Sequence, residues 1–249
     1  MSIQLNRSLR LLLAGCVTIV AAACDSDSNG GAVVPPPPPP PPPAMASFEV
    51  TVTNLTNGQP MSPVAVIAHQ TGYAIFTVGA AATAGLETLA EGGDNSALIA
   101  EADAAAEVIT SASGAAPIGP AGSETITVDV LQSNLPGLNI SVSTMLVNTN
   151  DAITGLNGAS VADMMAGDSL SWRTIAYDSG TEANTESAAH IPGPAGGGEG
   201  FNAARDDLAD RVAMHTGVVS QDDGFAASDL TGQHRFDNPV AQVSIERIN

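Results

Sequence analysis

The chain has 249 residues, 44% of them hydrophobic and 13% charged, with a formal net charge of −19. All seven basic residues are Arg, and aromatics make up only 3%, so neither the cationic surface nor the stacking platforms that nucleic acid requires are available. Both cysteines, Cys16 and Cys24, fall in the first 24 residues, which excludes a disulfide, a thiolate metal site and a cysteine nucleophile from the body of the protein.

The N-terminus reads as an address followed by a tether. Arg7 and Arg10 precede an apolar run over residues 11–23, too short to span a bilayer comfortably and laid out as a secretory signal peptide. A cysteine after small residues resembles a bacterial lipobox, in which the cysteine is lipidated and becomes the mature N-terminus. Leu13-Ala14-Gly15-Cys16 fits the wording of that motif; Ala21-Ala22-Ala23-Cys24 fits its placement, since it follows the whole apolar run. Cleavage before Cys16 would leave an apolar stub outside the membrane, so Cys24 is the expected lipidation site and Cys16 the alternative. The chain is thus expected in the bacterial cell envelope, periplasmic or on the outer surface, and held to a membrane by its lipid.

Residues 25–30 match the opening of an EF-hand loop, but Pro36 stands where the loop needs its closing Glu, so the stretch is a solvated spacer. The uninterrupted prolines 35–43 form polyproline II, which at about 3.1 Å per residue makes a stiff stalk of roughly 28 Å. Residues 24–46 are therefore a tether, and the folded domain is expected over 47–249.

Within the domain, residues 48–56 alternate apolar and polar as a half-buried strand does. Asn57-Gly58 marks a turn, and residues 64–69 read as a deeply buried strand. Residues 73–78 are β-prone or extended loop. Residues 84–91 form a short helix stopped by Gly92-Gly93, and Ser96 can cap a second helix over 97–108. Residues 110–122 read as a loop of small residues and proline. Strands follow at 125–130, 139–147 and 169–177. Residues 191–200 are a glycine- and proline-rich loop, residues 203–214 a region with a short helix, and residues 240–248 the last strand. Spaced strands, one or two short helices and no βαβ alternation predict a mainly β protein, an antiparallel β-sandwich.

The stretch richest in chemistry is the one leaving the strand at Trp172. Asp178 and Glu182 stand four apart around Gly180, which permits a tight or left-handed turn. A second acidic loop, Asn148-Thr149-Asn150-Asp151, lies upstream. Loops that meet at one end of a sandwich would offer the hard oxygen ligands that calcium takes; the alternative is a pair of solvated acidic turns. Asp94, Glu186, Asp222 and Asp223 read as surface residues, and Trp172 and Tyr177 as packing beside the acidic loops. The four histidines, His69, His190, His215 and His234, show no H-E-x-x-H spacing, although His190 lies near Glu186. G-x-S-x-G is absent, and no pair of carboxylates is singled out for hydrolysis.

Four stretches together resemble the spondin N-terminal domain family, including bacterial spondin-domain lipoproteins. They are Ile75-Phe76-Thr77-Val78-Gly79 running into residues 85–94, residues 143–151, Ala176-Tyr177-Asp178-Ser179-Gly180-Thr181-Glu182 with its continuation to Glu186, and residues 238–245. The resemblance runs across nearly all of 47–249. It implies a C2-like antiparallel β-sandwich that holds calcium through acidic residues of loops at one end. By motif, the metal ligands are Asp151, Asp178 and Glu182; Glu182 stands where the animal modules tend to have Asp. The function expected is a non-enzymatic, lipid-anchored calcium-binding module for adhesion or for capture of a protein or glycan partner. An exported metal-dependent hydrolase and a purely structural envelope lipoprotein are the alternatives.

Overall fold

The computed structural model describes residues 38–204 and 211–249. The signal-peptide and lipidation expectations, including Cys16 and Cys24, lie outside the described residues. Pro42–Asn249 is one compact unit, and residues 38–41 are exposed.

Among the described residues, ten strands form two antiparallel sheets, as the alternation predicted. The first sheet contains β1 (Met45–Asn54), β4 (Ser123–Leu131), β7 (Ser169–Thr174) and β10 (Ala241–Arg247), in the order β4-β1-β10-β7. The second contains β2 (Ala65–His69), β3 (Val108–Ser113), β5 (Asn139–Met145), β6 (Ala152–Ser160), β8 (Ala176–Asp178) and β9 (Ala213–Met214), in the order β3-β2-β5-β6-β8-β9. The inner faces meet in an aliphatic core: Phe48, Val50 and Val52 of β1 and Val243 and Ile245 of β10 pack over Val66, Ile140 and Val142. The outer face of the second sheet is covered by α1 (Ala84–Gly92) and α2 (Ser96–Asp103). Leu86, Leu89 and Leu98 from these helices pack with Ala65, Ile67 and Ile153. β2 is therefore buried on both faces, which is why it reads as an unbroken apolar run.

Several expectations are corrected by the structure. β1 begins at Met45, two residues before the expected boundary, because Met45 and Ala46 already pair with Leu131 and Val130. The second helix ends at Asp103 rather than 108, and Val108 starts β3, a strand expected as helix end and loop. Asn95, not Ser96, occupies the N-cap. Residues 73–78 contain no strand. β6 carries Gly155 and Gly158 and only broken alternation, and it was not anticipated. The region over 203–214, expected to include a helix, has Ala213–Met214 as a strand paired with Tyr177 and Asp178; residues 205–210 lie outside the described residues. The expected strand over 169–177 is two strands in different sheets, divided at Ile175.

Asn54 ends β1 with all its amide capacity used. Its Nδ2 donates to the carbonyls of Gln59 (2.7 Å) and Ile118 (3.1 Å). Its Oδ1 accepts from the Thr56 N–H (2.9 Å) and hydroxyl (2.7 Å). Gln59, fixed by this knot, bridges the Asn148 main chain in both directions at 3.1 Å. Asn54→Ala would orphan several buried groups at once, and we expect it to lower the unfolding free energy by about 2–4 kcal/mol in a denaturant titration. A loss within about 0.5 kcal/mol would show that water replaces the amide at little cost.

Candidate functional site

Strand pairing brings the two acidic loops together. The 146–151 loop is the hairpin between β5 and β6, closed by the Leu146 N–H donating to the Ala152 carbonyl at 2.8 Å. β8 lies against β6 with Ala152 opposite Asp178, so Asp151 meets the residues that follow Asp178. Gly180 takes the left-handed conformation (φ 73°) and packs against the Arg211 backbone with no room for a side chain.

Asp151 is fully buried. Its Oδ2 accepts from the N–H groups of Thr181 (2.9 Å) and Glu182 (3.1 Å) and from the Ser179 hydroxyl (3.2 Å). Its Oδ1 is buried and has no hydrogen-bond partner among the described residues. Burial pushes the Asp151 carboxyl up to about 7 and the nearby Asp178 carboxylate adds to the rise, against the pull of the Thr181 and Glu182 N–H groups and the Ser179 hydroxyl. Asp178 is half-buried; its Oδ1 accepts from the Gly180 N–H (2.9 Å) in an Asx turn and its Oδ2 from the Asn184 amide (2.7 Å). Glu182 is buried, and its Oε1 accepts from the Asn150 amide at 3.3 Å and stands 3.7 Å from His190 Nδ1. His190 therefore pairs with Glu182 rather than with Glu186.

Among the described residues, no three His, Cys, Asp or Glu side chains converge closely enough to hold a metal ion as they stand. The structure brings Asp151 and Asp178 into electrostatic contact and joins Glu182 to Asp151 through its N–H, while its carboxylate is engaged with Asn150.

Asp94, Asp222 and Asp223 are exposed as expected. Glu186 is not a surface residue. It is buried at φ 55°, its Oε1 accepts from the Val219 N–H (3.1 Å), and burial raises its pKa against that bond. It clamps the acidic loop to the 217–220 segment. His215, which no spacing marked, reaches the site because its N–H donates to the Ala176 carbonyl at 3.0 Å. Its Nδ1 accepts from the Gly217 N–H at 2.9 Å, which assigns the ring proton to Nε2. Burial lowers its pKa, partly offset by Asp178, so His215 presents a buried N–H donor rather than a metal-ligating lone pair. Trp172 and Tyr177 do not simply pack beside the acidic loops. Both line a groove beside β6, where Tyr177 also tilts against Phe76 at 4.9 Å between ring centroids.

A serine and a histidine do meet elsewhere. His69 Nε2 lies 2.8 Å from Ser141 Oγ, and Nδ1 donates to the Gln70 carbonyl at 2.7 Å. Both residues are buried, and the Ser141 hydroxyl accepts from the Gly158 N–H at 2.8 Å. The pair stitches the irregular β5–β6 register between Ile140 and Val142. With both side chains buried and hydrogen-bonded, the pair serves as a structural cross-link.

No protein-family model matches the chain, and no curated protein is significantly similar to it.

The raised Asp151 pKa fixes a sign. Between its ordinary value of 3.8 and about 7, the folded chain keeps a proton that the unfolded chain has released. The contribution to stability is complete below the ordinary value and is lost as pH rises through about 7. Asp151→Asn keeps the acceptor for the loop N–H groups and places an amide toward Asp178. In chelator, its melting midpoint should exceed that of the wild type by about 2 °C or more at pH 8, and the gap should shrink toward pH 5. A gap independent of pH would refute the buried titration.

Proposed function

We propose that the chain is an exported, lipid-anchored, non-enzymatic binding module whose acidic loop end takes a calcium ion. The observation that carries this reading is the buried Asp151 Oδ1, without a hydrogen-bond partner among the described residues and beside a second carboxylate, while Oδ2 is held by the turn. A hard cation is the complement of that arrangement, and the donors present are the oxygens that calcium prefers. Asp151 and Asp178 would hold the ion, with Glu182 and the amide, hydroxyl and main-chain oxygens of the same two loops completing the set. When bound, calcium neutralises the paired carboxylates and rigidifies this end of the sandwich. Ionising Asp151 to bind it releases a proton.

The four motif stretches support relating the domain to the spondin N-terminal family and reading the sandwich as C2-like. The lipobox-like Ala21-Ala22-Ala23-Cys24 and the proline run support a lipid anchor, with a stiff stalk carrying the domain away from the membrane of a bacterial envelope. At −19 the partner is a protein or glycan, not nucleic acid.

Thermal unfolding tests the metal site. A fragment starting at Pro42, so that β1 is whole, should gain about 5 °C or more in midpoint at a hundredfold excess of calcium over its Kd. Asp178→Ala should abolish the gain. Superimposable curves with calcium and with chelator would mean that the acids are structural. The anchor has a separate test: fatty-acid labelling in cells should disappear in Cys24→Ser and persist in Cys16→Ser, and the reverse pattern would move the anchor to Cys16.

A further inference from the structure

β7 is the last strand of the first sheet, and among the described residues its only strand partner is β10. On the far wall, the pairing of β6 with β8 stops at Thr154 opposite Ala176, which leaves the outer edge of residues 155–160 without a strand partner among the described residues. Two unpaired main-chain edges thus flank the side where the sandwich opens. Along this seam lie two cavities. One, of about 610 Å³, is lined by residues including Leu156, Trp172 and Arg173. The other, of about 520 Å³, includes Met164, Leu170, Asp163 and Asp168.

The register shows that the seam exposes a core face. Leu170 stands opposite Ile245, and Trp172 opposite Val243, so both point the same way as those core residues. Ile245 is 0% exposed and Leu170 is 41% exposed. The core continues past β10 onto β7, but its cover does not. Trp172, the only tryptophan, packs against the core from its edge. Charge is also distributed along the seam. Arg173 points outward near one end, and Asp163 and Asp168 stand exposed at the other.

We propose that this seam captures an extended peptide from a partner protein, which adds to β7 as an antiparallel strand. The unpaired edge supplies main-chain hydrogen bonds, and the uncovered face takes alternate apolar side chains. The ends select charge: an acidic residue opposite Arg173 and a basic one opposite Ser169, at the end where Asp163 and Asp168 stand. Antiparallel addition places the acid toward the peptide's N-terminus and the base toward its C-terminus. This names a partner class for the binding module, and it stands on residues other than the acidic loops.

The probe is the capped hexapeptide acetyl-Val-Asp-Val-Thr-Val-Lys-amide, titrated into the full chain in calcium. In register, its first, third and fifth residues lie opposite Thr174, Trp172 and Leu170, and its Asp lies opposite Arg173. A saturable change in Trp172 emission is expected, with amide shifts centred on residues 169–174. Arg173→Glu, an exposed substitution, should weaken binding about tenfold. That variant should prefer the peptide with Lys at the second position. N-methylation of the peptide backbone should abolish binding. Absence of any response at about 1 mM peptide overturns the proposal, as does binding indifferent to both N-methylation and Arg173→Glu. So does a response to glycan oligomers but not to the peptide. Binding should survive in Asp178→Ala, which separates the seam from the calcium reading. Loss of binding in that variant, with its circular dichroism unchanged, would assign capture to the acidic loops and overturn the seam.

Discussion

The crossing of one strand from sheet to sheet governs the rest of the molecule. β7 leaves the first sheet at Thr174, and after Ile175 the chain resumes as β8 in the second. The buried Thr154 hydroxyl holds the crossing, 2.8 Å from the Thr174 hydroxyl and donating to the Ile175 carbonyl at 2.9 Å. On the far side, the Ala176 N–H donates to the Asn238 side chain at 2.8 Å. A polar stitch is needed because a strand changing sheets abandons one ladder before it joins the next, and its main-chain groups would otherwise be buried unpaired. Once the crossing is fixed, Asp178 must fall opposite Ala152, and the turn after it must meet Asp151. The same crossing leaves β7, among the described residues, without a strand neighbour on its outer side.

At the acidic end, hydrogen bonding and desolvation oppose each other within one carboxylate. The N–H groups of Thr181 and Glu182 favour the anion of Asp151, while burial and Asp178 disfavour it; the second pair of effects prevails and pushes the carboxyl up to about 7. Folding does not require such a balance: an Asn would accept the same N–H groups without the charge. The surrounding clamps are specific to this loop. Asn150 donates to Glu182 and Thr185 and accepts from the Glu186 N–H, and Glu186 holds the 217–220 segment. The loop is thus stiff around a carboxyl that burial and Asp178 hold toward its protonated form.

Strands with regular alternation were legible in the sequence. β1, β4 and β10 each bury one face, so period two is written plainly in residues 48–52, 126–130 and 241–245. β2 was legible for the opposite reason, since burial on both faces removes its polar positions. The failures have physical causes as well. β6 carries glycines at an irregular register, where the Ser141 hydroxyl takes over bonding to Gly158. Val108 begins a strand after a short turn over 104–107, where alanine-rich sequence carries helix propensity on past Asp103. No local signal marks a strand that changes sheets, so residues 169–177 read as one. The acidic turn was visible because Gly180 and its flanking acids are contiguous. Glu186 and His215 were not, because their burial depends on segments far along the chain.

An open edge beside an exposed core face invites self-association, and native proteins guard such edges with charge. Here the guard is largely global. With a net charge of −19, two copies approaching edge to edge repel over the range set by screening. Antiparallel self-pairing of β7 centred on Ser171 would set Arg173 opposite Ser169, which supplies no compensating carboxylate. Repulsion between copies does not extend to a short segment carrying its own balanced charges, and still less to one with a cation at the Asp163 and Asp168 end. The acidity that keeps the module from pairing with itself therefore leaves the seam open to a different chain, and it makes the charge pattern along β7 the basis of selection.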